Sequence, residues 1–178
     1  MTPDDIPRDP EGALSFWDAL PAVMLEEMIG DWRGAEVATG HALDGLLAAS
    51  RWHGKRFLGP DEVYPLVHLT RGGNKYYADP ARLPLAAALR LPMPKGALGT
   101  RLFAATKPYH VTTRPRARLR MVEHRGAVTA AMLYDARPII DVFRRLTDDT
   151  VMGLMDMKGM DRPYVFTLKK EPLLRHLA

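Results

Sequence analysis

Five of the aspartates that follow Tyr134 are suited to acid–base chemistry: Asp135, Asp141, Asp148, Asp149 and Asp156. A buried carboxyl group with a raised pKa beside a tyrosine hydroxyl can act as a general base. A cofactor-free isomerase or hydratase could use Asp135 or Asp156 with Tyr134 in this way. Structural roles are also available, because Asp135 precedes a proline turn, Asp141 lies near a predicted helix start and residues 148–149 suit a polar turn. We favour the structural roles and keep catalysis as an alternative.

Other catalytic and metal-binding motifs are missing from the sequence. The histidines are scattered and lack metal-ligand spacing: His41, His53, His68, His110, His124 and His176. There is no cysteine, and Ser15 and Ser50 lie outside any G-x-S-x-G motif. Neither a P-loop nor a G-x-G-x-x-G motif is present. The sequence therefore predicts no metal site and no cofactor, and it argues against serine hydrolases and nucleotide-dependent enzymes.

The apolar residues give the clearer functional signal. Methionines crowd the C-terminal half, and their flexible thioethers suit either an adaptable cavity or an ordinary core. The candidate ligand-binding residues are Trp32, Trp52, Lys55, Phe57, Tyr109, Arg118, Arg120, Tyr134, Phe143 and Met155. We expect non-enzymatic binding or carriage of a lipid, fatty-acyl or phospholipid-like, or of another hydrophobic small molecule, with basic groups near an anionic head group.

The orientation of two of these candidates stays open. Arg118 and Arg120 share one face of a predicted strand whose other face carries Ala117, Leu119 and Met121. The usual alternation places the apolar face inside and both arginines in solvent. If the arginines faced inward, each would need a ligand head group or a carboxylate as its partner. A shift of one residue would reverse the two faces.

Length and composition limit the protein class. The 178 residues fit a single domain. The absence of cysteine is compatible with a reducing compartment. The first ten residues are acidic and interrupted by prolines, unlike a signal peptide. We therefore expect a cytoplasmic protein.

The net charge of +4 is unevenly distributed. Residues 1–50 hold ten acidic and two basic residues, whereas residues 95–125 hold eight basic residues and one acidic residue. The basic segment suits transient contact with an anionic membrane or an anionic head group, and equally a solvated strand face. Nucleic acid is not an expected partner, because aromatic residues are not interleaved with these arginines. The oligomeric state stays open.

Hydrophobic periodicity predicts a mainly β chain. Residues 1–14 are predicted to be a mobile arm, and residues 15–178 a single domain. Helices are expected at residues 20–29, as a cap, at 41–50, as a lid, and at 139–146. Strands are expected at residues 32–38, 51–57, 63–69, 75–78, 100–105, 109–113, 116–123, 127–134, 151–158 and 164–169. About eight to ten strands suit a closed antiparallel barrel with room for side chains or one small ligand.

One motif carries a family resemblance. The run Gly30-Asp31-Trp32-Arg33-Gly34 resembles the start of lipocalin-like barrels, in which a tryptophan plugs the closed end, and Gly34 leaves room for the indole or a crossing backbone. It is most similar to the family of small bacterial proteins named for the GXWXG motif, whose second half is a domain of unknown function. The likeness continues through residues 52–57, 65–66, 134–135, 138–139, 141, 143–144, 153, 155–156 and 158–159.

The resemblance spans residues 22–170, with a GXWXG half at about 20–75 and a C-terminal half at about 98–170. It implies a lipocalin-like barrel with an apolar interior and no assigned reaction. Nitrobindin and fatty-acid-binding proteins are more distantly similar, which makes haem binding a further alternative. Haem-binding relatives carry their axial histidine on a late strand, whereas here only His110, His124 and His176 remain as candidates.

Overall fold

The computed structural model describes residues 1–85, 88 and 93–172, and within them the chain is mainly β. The strands are β1 (Gly30–Glu36), β2 (Trp52–Gly59), β3 (Glu62–Leu69), β4 (Lys75–Ala78), β5 (Val111–Thr112), β6 (Ala117–His124), β7 (Ala127–Tyr134), β8 (Ile139–Arg145), β9 (Thr150–Met157) and β10 (Tyr164–Lys170). The helices described in full are α1 (Pro10–Asp18), α2 (Leu46–Ala49), α3 (Gly96–Ala105) and α4 (Lys107–His110). Short 3-10 turns lie at Pro3–Asp5, Glu26–Met28 and Pro80–Arg82.

Eight of the described strands close into an antiparallel barrel. β1 pairs with β2 and β10, the order continues through β9, β8, β7 and β6 to β3, and β3 returns to β2. β3 and β6 meet at the pair Val63 and Ala117. β4 and β5 extend the sheet beyond β3. The prediction of an antiparallel barrel with about eight to ten strands is confirmed.

Helix α1 covers the outer face of the barrel over β7 to β10. Asp9 caps the helix by accepting a hydrogen bond from the backbone N–H of Gly12. Trp17 is fully buried and Ile6 is 2% exposed, both in a cluster with strand residues such as Val142. Residues 6–14 therefore pack onto the side of the barrel, whereas the sequence predicts a mobile arm over residues 1–14.

The chain between α1 and β1 is extended, so the helix predicted at residues 20–29 is wrong apart from the turn Glu26–Met28. Residues 21–23 lie between β7 and β8. There Ala130 N donates to Val23 O at 2.8 Å and Arg145 N donates to Pro21 O at 2.9 Å. β7 and β8 pair with each other over residues 131–133 and 140–142. Residues 21–23 fill the gap between the two strands beyond that pairing.

Other secondary-structure predictions have mixed outcomes. Residues 139–146, predicted as a helix, form β8. Both faces of β8 are buried, because Phe143 faces the interior and Val142 lies in the cluster with α1, so the polar alternation is lost. Residues 100–105, predicted as a strand, belong to α3. The strands predicted at residues 75–78, 127–134, 151–158 and 164–169 are confirmed to within a residue at each end.

Candidate ligand-binding site

The barrel interior is filled with side chains in one half and hollow in the other. In the filled half, called the closed half below, the Trp32 indole N–H donates to Met28 O at 2.7 Å. Phe57 and Phe143 pack edge to face there, with ring centroids 6.0 Å apart. The other half, called the cavity half, contains a cavity of about 440 Å³. The closed half explains why a tryptophan stands at the start of β1.

Short helices and a turn cover the cavity half. α2 and α3 approach closely, since a Cβ atom added at Gly99 would lie 3.3 Å from the Cβ atom of Ala49. The turn Pro80–Arg82 is held by Arg137, whose Nε donates to Pro80 O at 3.1 Å. Residues of α2, α3 and this turn line the cavity. The lid helix predicted at residues 41–50 is therefore present in shorter form, as α2.

Lys55, Tyr134 and Asp141 meet in the cavity wall and are called the Lys–Asp–Tyr cluster below. Lys55 Nζ lies 2.7 Å from Asp141 Oδ2 and also donates to Pro65 O at 3.2 Å. The Tyr134 hydroxyl donates to the same Asp141 oxygen at 3.3 Å. The side chains of Lys55 and Asp141 are 3% and 1% exposed. The cluster is therefore a buried ion pair with a phenol attached to its carboxylate.

The barrel brings these three residues together from separate strands. Lys55 lies on β2, opposite Trp32 of β1. Asp141 lies on β8, opposite Met155 of β9, and shares the inward face with Phe143 two residues further on. Tyr134 ends β7, the neighbour of β8. The cluster lies where these inward faces pass from the closed half into the cavity half.

Burial is the main influence on all three pKa values in the cluster. It lowers the pKa of Lys55 and raises the pKa of Asp141, and the attraction between the two charges opposes both shifts. Burial, together with the neighbouring Asp141 charge, raises the pKa of Tyr134 well above its ordinary value. Asp141 Oδ1 has no hydrogen-bond partner among the described residues. The cluster thus carries no excess charge and offers one free acceptor oxygen.

Aromatic rings surround the Lys55 ammonium group. Its Nζ atom lies 5.1 Å from the ring centroid of Phe166, 5.6 Å from that of Trp52 and 5.7 Å from that of Tyr134. A cation within about 6 Å of a ring face gains from the ring quadrupole. The rings therefore compensate part of the hydration that Lys55 loses on burial.

Two glycines make room for these rings. A Cβ atom added at Gly34 would lie 2.1 Å from the Trp52 ring, and one added at Gly153 would lie 2.3 Å from the Phe166 ring. Both distances are well inside van der Waals contact. The second glycine of the G-x-W-x-G motif is therefore needed for Trp52 on the neighbouring strand, whereas the sequence predicts room there for the Trp32 indole or a crossing backbone.

Two histidines add polar atoms to the cavity wall beside α3 and α4. The rings of His68 and His110 lie 5.0 and 4.7 Å from the Phe103 ring centroid. His68 Nδ1 donates to Ser50 O at 2.9 Å, so its Nε2 is an unprotonated acceptor. Burial lowers the pKa of His68 to about 4. In the part of the chain that the structure describes, Nε2 of both rings lacks a hydrogen-bond partner.

The candidate residues from the sequence fall into three groups. Trp52, Lys55, Tyr109, Tyr134 and Met155 line the cavity, and Tyr109 does so at the rim, where it is 75% exposed. Trp32, Phe57 and Phe143 belong to the packed interior and are absent from the cavity wall. Arg118 and Arg120 lie on the outer surface.

The outward position of the two arginines follows from the alternation along β6. Ala117 and Leu119 face the interior and are buried. Arg118 is 51% exposed and lies 3.6 Å from Asp135, whereas Arg120 is 43% exposed and lies 2.6 Å from Asp61. An inward orientation of Arg118 and Arg120 is therefore wrong, and neither side chain reaches the cavity.

The carboxylate beside Tyr134 is Asp141, for which the sequence predicts a role near a helix start. Asp135 is 46% exposed and Asp156 is also exposed, so neither is placed to act with Tyr134 in the interior. Strand alternation over residues 139–145 places Asp141 on the same inward face as Ile139 and Phe143. A strand prediction there would therefore have identified Asp141 as an interior residue. No local pattern marks its pairing with Lys55.

Fold and cavity define the class of this protein: a lipocalin-like antiparallel β-barrel with one filled and one hollow half. Residues 15–73 match the family described as GXWXG protein, and residues 115–170 match a domain of unknown function, DUF4334. The chain belongs to the family of GXWXG proteins that carry this domain. It is similar to a protein from Thermomonospora curvata, known from its crystal structure, at 34% sequence identity and a TM-score of 0.68, covering 92% of this chain and 88% of that chain.

Comparison with curated proteins found no match. Among the described residues, no helix has the length and apolar character needed to cross a membrane. Within the same ranges, no three side chains of metal-ligating type are grouped so that they could hold a metal ion. The comparisons establish family and fold, and the function is argued from the cavity.

Proposed function

We propose that this protein binds or carries a single lipid or other hydrophobic small molecule inside the barrel and does not turn it over as an enzyme. The observation that carries the proposal is the cavity of about 440 Å³ with the Lys–Asp–Tyr cluster in its wall. Small-molecule sites are typically cavities of about 300 to 1,000 Å³ with mostly apolar walls and a few convergent polar groups. The wall here combines residues such as Leu43, Leu47 and Met155 with that cluster.

The cluster supports an uncharged polar head group over an anionic one. The positive charge of Lys55 is already matched by Asp141 at 2.7 Å, so a ligand carboxylate would meet Asp141 without a spare cation. Asp141 Oδ1 and His68 Nε2 are acceptors that lack partners in the described ranges. A ligand hydroxyl or amide N–H can satisfy either atom, and an unsatisfied buried acceptor costs about 1 to 3 kcal/mol. We therefore expect fatty alcohols or amides to bind at least as tightly as the corresponding acids.

The test is displacement of N-phenyl-1-naphthylamine, an uncharged fluorescent probe, by dodecanol, dodecanoic acid and dodecane. We expect dodecanol to displace the probe most effectively, because it combines an apolar chain with a hydrogen-bond donor. Met155→Trp places a larger side chain in the cavity and should weaken probe binding. The control Val128→Trp alters a residue of β7 that is 57% exposed and should leave binding unchanged. Absence of probe binding, together with no small molecule in native mass spectra of the purified protein, would contradict the proposal.

Haem binding is the second candidate, and His68 is the observation in its favour. Its Nδ1–H group is bonded to Ser50 O and its Nε2 atom lacks a partner among described residues, which is the tautomer that an axial ligand requires. His110 lines the same cavity, whereas His124 packs against Trp17 outside the barrel and His176 lies outside the described residues. Titration with haemin tests this candidate. A Soret shift that His68→Phe removes and His124→Phe retains would favour haem, and no shift would exclude it.

A further inference from the structure

If the Lys–Asp–Tyr cluster had only a structural role, burying its charges would cost the fold free energy. Lys55 and Asp141 lose nearly all of their hydration at 3% and 1% exposure. Buried ion pairs of this kind often stabilise a fold less than apolar residues of the same size would. This pair also lies in the cavity wall, where a ligand can reach it, and not in the closed half. Its position therefore indicates chemistry directed at the molecule in the cavity.

We propose that Lys55 forms a reversible imine with the aldehyde or ketone group of a hydrophobic ligand, an inference that rests on the proposed binding function of the cavity. A primary amine lies in the cavity wall, with a carboxylate oxygen 2.7 Å away and a phenol hydroxyl 3.3 Å from that oxygen. These are the groups that imine formation requires: a nucleophilic amine, a proton acceptor beside it and a second proton-carrying group.

The steps balance with these groups and the ligand alone. Asp141 accepts a proton from the Lys55 ammonium, and the free amine attacks the carbonyl carbon to form a C–N bond. A proton passes from nitrogen to the former carbonyl oxygen, for which the Tyr134 hydroxyl is a relay. The resulting hydroxyl leaves as water with the proton held by Asp141, and the nitrogen lone pair completes the C=N bond. An ammonium ion and a carbonyl group thus become an iminium ion and water, with no oxidant or reductant.

The charge arrangement suits the product as well as the free amine. The iminium carries the same single positive charge as the ammonium, so Asp141 remains its counter-ion and the reaction leaves no unpaired charge in the interior. Burial also lowers the pKa of Lys55, which raises the fraction of free amine. The rings of Trp52 and Phe166 beside the amine limit the access of water, which would hydrolyse the imine.

Reductive trapping tests the proposal on the intact chain. The protein is incubated with decanal and sodium cyanoborohydride, which converts an imine into a stable secondary amine, and the modified lysines are located by peptide mass mapping. Lys75 and Lys169 are 42% and 68% exposed and serve as internal references within the same sample. We expect labelling of Lys55 to exceed that of either reference, because burial lowers its pKa and leaves a larger fraction of free amine. The wild-type map decides, so the test does not depend on the folding of a variant.

Three outcomes separate the imine from simple binding. Preferential labelling of Lys55, suppressed by excess decanol, supports the imine. If decanol displaces the naphthylamine probe but labelling is spread over surface lysines, the imine proposal is overturned and the proposed binding function stands. If decanol and decanal both leave the probe in place and Lys55 is unlabelled, both proposals are overturned.

Two variants add a spectroscopic readout with 4-(dimethylamino)cinnamaldehyde, whose imine absorbs at longer wavelength when protonated. Lys55→Arg keeps a cation beside Asp141 but cannot form an imine, so we expect no imine band. Asp141→Asn removes the counter-ion that keeps the imine protonated. We therefore expect the imine band to lie at shorter wavelength in this variant than in the wild type. An unchanged band in Lys55→Arg would overturn the assignment to Lys55, and an unchanged wavelength in Asp141→Asn would overturn the counter-ion role.

Discussion

The closed half and the cavity half of the barrel interior are built from the same strands but filled differently. On β2, Phe57 is fully buried in the closed half, while Lys55, two residues earlier on the same face, lies in the cavity wall. On β8, Phe143 and Asp141 show the same change over the same spacing. Both strands therefore switch from apolar packing to a polar side chain in the cavity wall within one repeat of the pleat.

The contrast shows how one scaffold separates stability from binding. The closed half contains interlocking side chains, with the Trp32 indole bonded to Met28 O and Phe57 packed edge to face on Phe143. The cavity half contains buried polar atoms without partners in the described ranges, among them Asp141 Oδ1 and His68 Nε2. Unsatisfied buried atoms reduce stability, and a ligand can supply their partners. Changes in the closed half should therefore affect folding, and changes in the cavity half should affect binding.

The largest expected effect is the loss of Trp32. Trp32→Ala removes a buried side chain that the closed half cannot replace, and it should lower the free energy of unfolding by about 3 to 5 kcal/mol. The matched change Trp52→Ala removes a half-buried ring beside the cavity and should cost only about 1 to 2 kcal/mol. Chemical denaturation of both variants measures the difference. Equal losses for the two tryptophans would contradict the division into two halves.

Breaking the ion pair should have the next largest effect. Lys55→Met leaves Asp141 buried without its cation and should cost about 3 kcal/mol of unfolding free energy. The double change Lys55→Met with Asp141→Leu should return stability to within about 1 kcal/mol of the parent, because an apolar pair replaces the ion pair. Urea unfolding of the two singles and the double gives the coupling. We expect the double variant to bind dodecane as tightly as dodecanol. A retained preference for the alcohol would show that the cluster does not contact the head group.

The cavity half should also make stability depend on pH through His68. Burial lowers its pKa from 6.5 to about 4, so the neutral ring is favoured in the folded state. The stability from this shift is fully present above about pH 6.5 and is lost as the pH falls towards 4, by about 3 kcal/mol in total. His68→Phe keeps a ring against Phe103 and removes the titration. Urea titrations between pH 7 and pH 4 should show the wild type losing about 3 kcal/mol more than this variant. Parallel pH profiles would contradict the burial of a neutral His68.

The smallest effects are expected on the outer face of β6. Arg118→Gln and Arg120→Gln each break an exposed ion pair and should cost less than about 1 kcal/mol of stability. Neither should change probe binding in solution, since both side chains lie outside the barrel. Binding to vesicles with anionic lipids should weaken for the pair of changes at low salt and converge with the wild type as salt is added. A loss of soluble ligand binding that persists at moderate salt would contradict the outward placement.

The sequence alone determined the strands that clear turn signals bound and the strand faces whose alternation is visible. The strands at residues 127–134 and 164–169, and the inward placement of Ala117 and Leu119, follow from visible alternation or turn signals. The G-x-W-x-G run likewise placed Trp32 in the closed half. Lys55 and Tyr134 were identified as interior polar candidates because a barrel with an apolar lining needs few such groups.

Only the tertiary structure decided the rest, because the missing signals do not lie within local sequence. α1 covers the outer face of β8, so both faces of that strand are buried and its alternation disappears. Asp141 was consequently assigned to a helix start, and its partner Lys55 lies far away along the chain on β2. The position of His68 in the cavity wall depends in the same way on how α3 and α4 fold over the barrel. Local patterns indicate whether a residue faces water or the core. The pairing of buried charges depends instead on which strands face each other across the interior of the closed barrel.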